Sequence, residues 1–202
     1  MTIHQTVIVR TPVRWLALLF FWLTGWQAEG CKPEAARYVV IAAPHTSNWD
    51  FIYTLGLAFI FRIELKIMMK DAWFRGPLGP LFRWLGALPI DRKRSRNVVG
   101  QSVAAFQSAS RMVLVVPPSG TRRKVAYWKT GFYHIARGAG VPIALGFLDY
   151  GRKVGGFGPL FHPTGDIDRD MAVIRDFYRP IVGKYPGQAS QGLVCPELKP
   201  PC

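Results

Sequence analysis

The stretch YVVIAAPHTSNWD (Tyr38–Asp50) decides the fold of this chain. Residues 38–43 form an apolar run of strand length that is rich in β-branched side chains, which predicts a buried strand. Three polar residues that favour helix starts follow, and an apolar helical pattern begins at Trp49. The sequence therefore predicts a strand, a tight turn and a helix. His45 lies on the turn and Asp50 in the first helical turn, so the two side chains can meet.

Strand and helix patterns continue to alternate along the rest of the chain. Further strand patterns occur at 65–69, 88–90, 112–116 and 141–147, and helical patterns at 49–62, near 80–85, 97–110 and 168–182. The run at 112–116 is apolar throughout, as expected for a strand that is covered on both sheet faces. This alternation predicts an α/β fold with a mostly parallel central sheet flanked by helices.

The composition indicates a folded domain with a strong positive charge. Of 202 residues, half are hydrophobic, and 26 basic residues against 12 acidic ones give a net charge of +14. Such a charge predicts an anionic partner, either a phosphorylated substrate, an acidic carrier protein, a membrane surface or nucleic acid. The basic residues cluster in short loops, which favours a compact phosphate over nucleic acid, and nucleic-acid binding stays an alternative. Three cysteines without zinc-like spacing favour a reducing compartment, and no metal site is predicted.

The N-terminal region carries a dense apolar run, Val13–Trp26, close to Arg10 and Arg14. The run is shorter than the roughly 20 residues that a membrane-spanning helix needs. Its tryptophans and flanking arginines favour an apolar helix that lies in the membrane interface. A buried core helix and a cleaved signal peptide are the alternatives. The predicted organisation is a membrane-interacting helix and linker (1–37), a main domain (38–190) and an exposed proline-rich tail (191–202).

Three polar clusters fall where predicted strands end, at 45–50, 91–96 and 119–124, and sites in parallel sheets form at such ends. His45 and Asp50 suit proton transfer, because a carboxylate on one ring nitrogen fixes the tautomer and stabilises the imidazolium. A structural histidine bonded to a helix start is the alternative. The other two clusters place glycine or proline turns beside arginines, a combination that suits phosphate but is also typical of solvated basic loops.

Short motifs in this order resemble those of the lysophospholipid (glycerolphosphate) acyltransferase family. HTSNWD resembles the family's HxxxxD motif, and GALPIDR resembles its second motif. PSGTR resembles the third, KTG the lysine-glycine pair that follows it, and VPI the fourth. These stretches are His45–Asp50, Gly86–Arg92, Pro118–Arg122, Lys129–Gly131 and Val141–Ile143. The resemblance covers about residues 38–147, within the region that it identifies as an acyltransferase domain.

The resemblance implies an O-acyltransferase of the 1-acylglycerol-3-phosphate type. Such an enzyme moves a fatty acyl group from acyl-coenzyme A or acyl-carrier protein to a hydroxyl of a lysophospholipid-like acceptor. It implies that His45 is the general base and that Asp50 orients it. The residues that it places at the acceptor are Arg92, Ser119, Gly120, Thr121 and Arg122. The thioester is a co-substrate and no cofactor is expected. The protein is expected to bind peripherally to the cytoplasmic face of an anionic membrane. Nucleic acid is not an expected partner.

Ser119 departs from the third motif, which usually has a glutamate at this position. In the family that glutamate is thought to help bind the acceptor. Two alternatives follow from the serine. Either the same fold acylates a non-glycerolipid acceptor, such as an aminolipid or a glycolipid, or the chain is an inactive relative that still binds membranes.

Overall fold

A computed structural model describes residues 7–90 and 98–190. The strands in chain order are β1 (Gln27–Glu29), β2 (Arg37–Ala43), β3 (Leu65–Lys70), β4 (Ala87–Ile90), β5 (Met112–Val116), β6 (Ile143–Asp149) and β7 (Val154–Phe161). The helices are α1 (Val7–Thr24), α2 (Trp49–Ile60), α3 (Gly79–Trp84), α4 (Val98–Ser108), α5 (Gly131–Ala139) and α6 (Ile167–Tyr178). Short 3₁₀ helices cover Asp71–Phe74 and Pro186–Gln188.

The seven strands form one sheet in the order β1-β7-β6-β2-β5-β3-β4. Neighbouring strands from β6 to β4 are parallel, β7 is antiparallel to β6, and β1 is parallel to β7. The predicted fold class, an α/β domain with a mostly parallel sheet, is confirmed. The stretch that begins at Tyr38 supplies the central strand β2, whose carboxyl end therefore lies in the middle of the molecule.

Helices cover both faces of the sheet, which explains why β2 carries apolar side chains on both of its faces from Val39 to Ala43. Val39 and Ile41 point to one face, where they join a core with side chains from α4, α5 and α6. Val40 points to the other face and packs in a cluster that includes Ala58 of α2. The site described below forms on this second side, between α2 and the sheet.

The N-terminal helix α1 packs along α2. Phe21 is 3% exposed and lies in an aromatic cluster with Trp26 and Tyr53. Gly56 of α2 permits this approach, because a Cβ atom there would lie 2.7 Å from the Phe21 ring. The opposite face of α1 is exposed. In the part of the chain that the structure covers, no helix is both long enough and apolar enough to cross a bilayer.

Two strands and one helix of the structure were not predicted from the sequence. They are β1, β7 and α5. β1 is a three-residue polar strand inside the predicted linker, and it exists because it pairs with β7. Gly156 of β7 permits this pairing, since a Cβ atom there would lie 1.8 Å from the backbone oxygen of Glu29. Glycines that make room for a neighbouring strand also weaken the strand pattern by which β7 would be recognised.

Candidate functional site

His45 and Asp50 meet at the carboxyl end of β2. The Nδ1 atom of His45 lies 3.1 Å from Oδ2 of Asp50, so the predicted contact is confirmed. The His45 side chain is 22% exposed, whereas that of Asp50 is 5% exposed. With its proton on Nδ1, the imidazole donates to the carboxylate and keeps a lone pair on Nε2. The partly exposed ring can therefore accept a proton from a bound molecule.

Four hydrogen bonds hold the Asp50 carboxylate. Besides His45, the backbone N–H groups of Thr46 and Ser47 donate to Oδ2 at 2.7 and 2.9 Å, and the Tyr150 hydroxyl donates to Oδ1 at 2.8 Å. Burial acts to raise the pKa of the Asp50 carboxyl, but the hydrogen bonds from His45, Ser47, Tyr150 and Thr46 together lower it below its ordinary value. Asp50 is thus a fixed, charged carboxylate beside the imidazole.

The turn before α2 uses its polar residues differently from ordinary helix capping. Asn48 is the N-cap residue, and its side chain makes no capping hydrogen bond. Instead the Ser47 hydroxyl accepts from the backbone N–H of Trp49 at 3.1 Å. Asp50, in the first helical turn, binds the N–H groups of the turn that precedes it. The loop and the carboxylate therefore fix each other, which ties the position of His45 to β2 and α2.

A cavity of about 670 Å³ lies between α2 and the sheet and has His45 in its wall. Its volume falls within the range of small-molecule binding sites. The apolar side chains that line it include Val40, Leu57, Leu65, Ile67, Val115, Leu148 and Phe157. Phe51 and Ile52 also line it and are about half exposed, so the apolar wall continues to the surface. Within the described ranges, no group of three or more metal-ligating side chains is present.

The loop that carries the third motif places one of its predicted residues at this cavity. Arg122 is exposed and lines the cavity together with His45. Ser119 is buried, and its hydroxyl donates to the backbone oxygen of Thr121 at 2.6 Å, within the loop itself. Gly120 has φ +65° and lies against the Lys129 side chain, while Thr121 is exposed. The loop thus presents the cation of Arg122 to the cavity, whereas the hydroxyl of Ser119 is bonded within the loop.

Arg92 lies outside the described residues, and its place in the site stays a prediction. The strand before it, β4, ends at Ile90 and is parallel to β3. Its carboxyl end therefore faces the same edge of the sheet as the end of β2.

Sequence reasoning missed a C-terminal strap, residues 181–190, which crosses both motif loops. The backbone N–H of Tyr185 donates to the Thr46 hydroxyl at 3.3 Å. In the orientation that satisfies its amide, the Gln188 nitrogen donates to the backbone oxygens of Arg122 at 2.9 Å and Thr46 at 3.2 Å. The strap therefore connects the loop of His45 to the loop of Arg122. No local pattern indicates these contacts, because they join segments far apart in the chain.

Tyr150 is a second residue that sequence reasoning missed. It is the first residue after β6, at the same edge of the sheet as His45. In the sequence, only its position after a strand could indicate a role in the site, and many other residues also follow strands. Its hydroxyl nevertheless contacts Asp50, 100 residues earlier in the chain.

Comparisons with known proteins agree with this architecture. A family model described as Acyltransferase matches residues 29–144, more than half of the chain. No curated protein matches the sequence significantly. Among solved structures, the chain is similar to the 1-acyl-sn-glycerophosphate (LPA) acyltransferase PlsC from Thermotoga maritima. That similarity has a TM-score of 0.60 and 16% identity, over 85% of this chain and 77% of that one. At this identity the likeness shows a shared fold.

Proposed function

The chain belongs to the acyltransferase family, and from this we propose that it transfers a fatty acyl group from an acyl thioester to a hydroxyl of a lysophospholipid-like acceptor. The observation that carries the proposal is a buried carboxylate bonded to a partly exposed imidazole in the wall of an apolar cavity. The donor is acyl-coenzyme A or acyl-carrier protein. Lysophosphatidate, the acceptor in the name of the structurally similar enzyme, is the first acceptor to test.

In the proposed reaction, His45 activates the acceptor hydroxyl. Nε2 takes the hydroxyl proton as the oxygen attacks the thioester carbonyl, and Asp50 stabilises the imidazolium through Nδ1. The carbon–sulfur bond of the tetrahedral intermediate then breaks. The thiolate leaves and takes up the proton from Nε2 of His45. A thioester is already activated, so deprotonation of the acceptor and alignment of both substrates suffice without a covalent enzyme intermediate.

The apolar cavity and Arg122 support the assignment of substrates. The apolar lining suits a fatty chain, whose burial contributes about 0.8 kcal/mol per CH₂ group. Arg122 and His45 both line the cavity, and the planar guanidinium of Arg122 matches the oxygens of a phosphate. We therefore place the acceptor phosphate at Arg122. Arg92 is a further proposed ligand from the second motif.

We also propose that the protein binds peripherally to an anionic membrane, on the cytoplasmic face. Five large apolar side chains on the outward face of α1 are 49–75% exposed, namely Trp15, Leu16, Leu19, Trp22 and Leu23. Their spacing places them on one side of a helix. Tryptophans on such a face suit the headgroup region of a bilayer. This location would bring lipid acceptors near the exposed apolar rim of the cavity.

Replacing both Trp15 and Trp22 by serine should weaken binding to anionic vesicles by about 10-fold or more, because each removes large apolar area from the interface. Both side chains are mostly exposed, so the fold should be unaffected. Vesicle co-sedimentation measures the binding, and circular dichroism checks the fold. Val173→Ser is the matched control, since Val173 is 51% exposed on α6, on the other side of the sheet. Unchanged vesicle binding by the double variant would contradict the proposed membrane face.

An acceptor panel tests the proposed reaction. Labelled acyl-coenzyme A and acyl-carrier protein are incubated with the protein and one of four acceptors: lysophosphatidate, a monoacylglycerol, an aminolipid or a glycolipid. We expect transfer to lysophosphatidate and little to monoacylglycerol, which lacks the phosphate that Arg122 would bind. Transfer to the aminolipid or glycolipid alone would favour the alternative acceptor class that Ser119 suggests. Activity that appears only in Ser119→Glu would identify the natural chain as an inactive relative.

A further inference from the structure

Tyr150 binds the oxygen of Asp50 that His45 does not contact. Its hydroxyl donates to Oδ1 at 2.8 Å, whereas His45 and two backbone N–H groups share Oδ2. Without Tyr150, the remaining donors that the described residues supply to the carboxylate would all act on one oxygen. A donor on the second oxygen fixes the plane of the carboxylate, and this plane sets the direction in which His45 is held.

The position of Tyr150 is fixed on several sides. The turn that carries it is closed by Asp149, whose carboxylate accepts from the N–H groups of Gly151 and Arg152 at 3.0 and 3.2 Å. The backbone N–H of Tyr150 donates to Val182 of the C-terminal strap at 2.8 Å. Its ring contacts Trp26 edge-on, with the ring centres 4.8 Å apart. A hydroxyl held in this way is preorganised and loses little freedom when it binds Asp50.

We infer that Tyr150 is a positioning residue for acyl transfer, which acts through Asp50 to orient His45. The inference rests on the proposed function. The ring and the turn hold the phenol, the phenol holds Oδ1 of Asp50, and Oδ2 of Asp50 holds the imidazole. The site is thus a relay of three side chains, from the turn after β6, from α2 and from the loop after β2.

The phenol also limits how strongly Asp50 attracts a proton to His45. A hydrogen bond to a carboxylate stabilises its charge and reduces its pull on a neighbouring imidazolium. The pKa of the Tyr150 hydroxyl is raised by burial and by its hydrogen bond to Asp50, so the phenol stays neutral and keeps the proton that it donates. Among the described residues, the other titratable or charged groups that face the relay are Tyr53, Tyr185, Lys184 and Arg122.

The test is Tyr150→Phe, which keeps the ring and removes only the hydroxyl. We expect kcat to fall about 10-fold with little change in KM, because substrate contacts remain and orientation of the base is lost. The acid limb of the pH–rate profile should move up by about half a pH unit, since Asp50 then stabilises the protonated imidazole more strongly. In a His45→Ala background, Tyr150→Phe should have no further effect on the residual rate.

Tyr133→Phe is the matched control, because it also removes a phenol hydroxyl that donates to an aspartate at 2.8 Å, here Asp170, on the other face of the sheet and away from the cavity. It should leave the acid limb and kcat unchanged. Equal effects of the two variants would assign Tyr150 a merely structural role and overturn the inference, as would an unchanged pH profile in Tyr150→Phe.

A measurement without turnover separates this inference from the proposed function. The His45 ring signals are titrated by NMR in both proteins, and the spectrum of His45→Ala assigns them. A titration that moves to higher pH in Tyr150→Phe supports the relay even if every acceptor in the panel fails. A titration that coincides with that of the natural protein overturns the relay even if acyl transfer is observed.

Discussion

His45→Ala is expected to lower kcat for acyl transfer by about 10²- to 10⁴-fold, the range that a positioned general base contributes. Among the described residues that line the cavity, His45 is the base whose ring is hydrogen-bonded to a charged carboxylate. Its loss should leave KM for the thioester nearly unchanged, because the apolar lining that would bind the chain is intact. Initial rates over a range of thioester and acceptor concentrations measure both constants.

The control for His45→Ala is His162→Ala. His162 is exposed in the loop after β7 and does not line the cavity, so its removal should leave kcat unchanged. The natural enzyme should slow in acid, because a base must be free of its proton, and the residual activity of His45→Ala should lack this dependence. A His45→Ala protein that keeps its melting temperature and most of its kcat would rule out the general-base role.

How much of this site the sequence could predict depends on the distance along the chain between its parts. His45 and Asp50 are five residues apart, and a strand followed by a turn and a helix is a local pattern, so their contact was predictable and is confirmed. The prediction of an acyltransferase from the ordered motifs is likewise confirmed by the family match. The roles of the single site residues stay predictions.

The long-range parts of the site could not be predicted. Tyr150 and the C-terminal strap reach Asp50 and the loop of His45 only after β6 and α6 have been placed by the sheet. Neither segment carries a local pattern for such contacts. The same reason applies to β1, which becomes a strand only by pairing with β7. Single-sequence patterns report which faces are apolar, whereas these contacts depend on how distant elements are stacked.

Substitutions at Asp50 can separate the effect of its negative charge from its role in orienting His45, because its hydrogen-bond donors are known. Thr46 and Ser47 are buried, and their N–H groups donate to Oδ2, so an asparagine at position 50 would place its amide oxygen there. That oxygen would still accept from His45, and the amide nitrogen would face the Tyr150 hydroxyl, which can also accept. Asp50→Asn should therefore keep the tautomer of His45 and lose only the negative charge. Asp50→Ala would lose both.

We expect Asp50→Asn to lower kcat by about 10- to 100-fold, as for the loss of a charge-assisted hydrogen bond. Asp50→Ala should approach the effect of His45→Ala, up to about 10⁴-fold, since Asp50 acts through the imidazole. Asp50→Ala should also unfold more easily, because it leaves two buried N–H groups without an acceptor, at a cost of about 1–3 kcal/mol each. Steady-state rates and urea denaturation measure the two effects. An asparagine variant as inactive as the alanine variant would contradict a separate orienting role for the oxygen at position 50.

The pH dependence of stability gives a second measurement on Asp50→Asn. The pKa of the Asp50 carboxyl is lowered in the folded protein, so its ionisation stabilises the fold at neutral pH. This contribution is complete above the ordinary value of 3.8 and is lost as the pH falls through the folded pKa. The stability difference between the natural protein and Asp50→Asn should therefore be constant near neutrality and shrink below about pH 3.8. A difference that stays the same into that acid range would show that the hydrogen bonds do not favour the charged carboxylate.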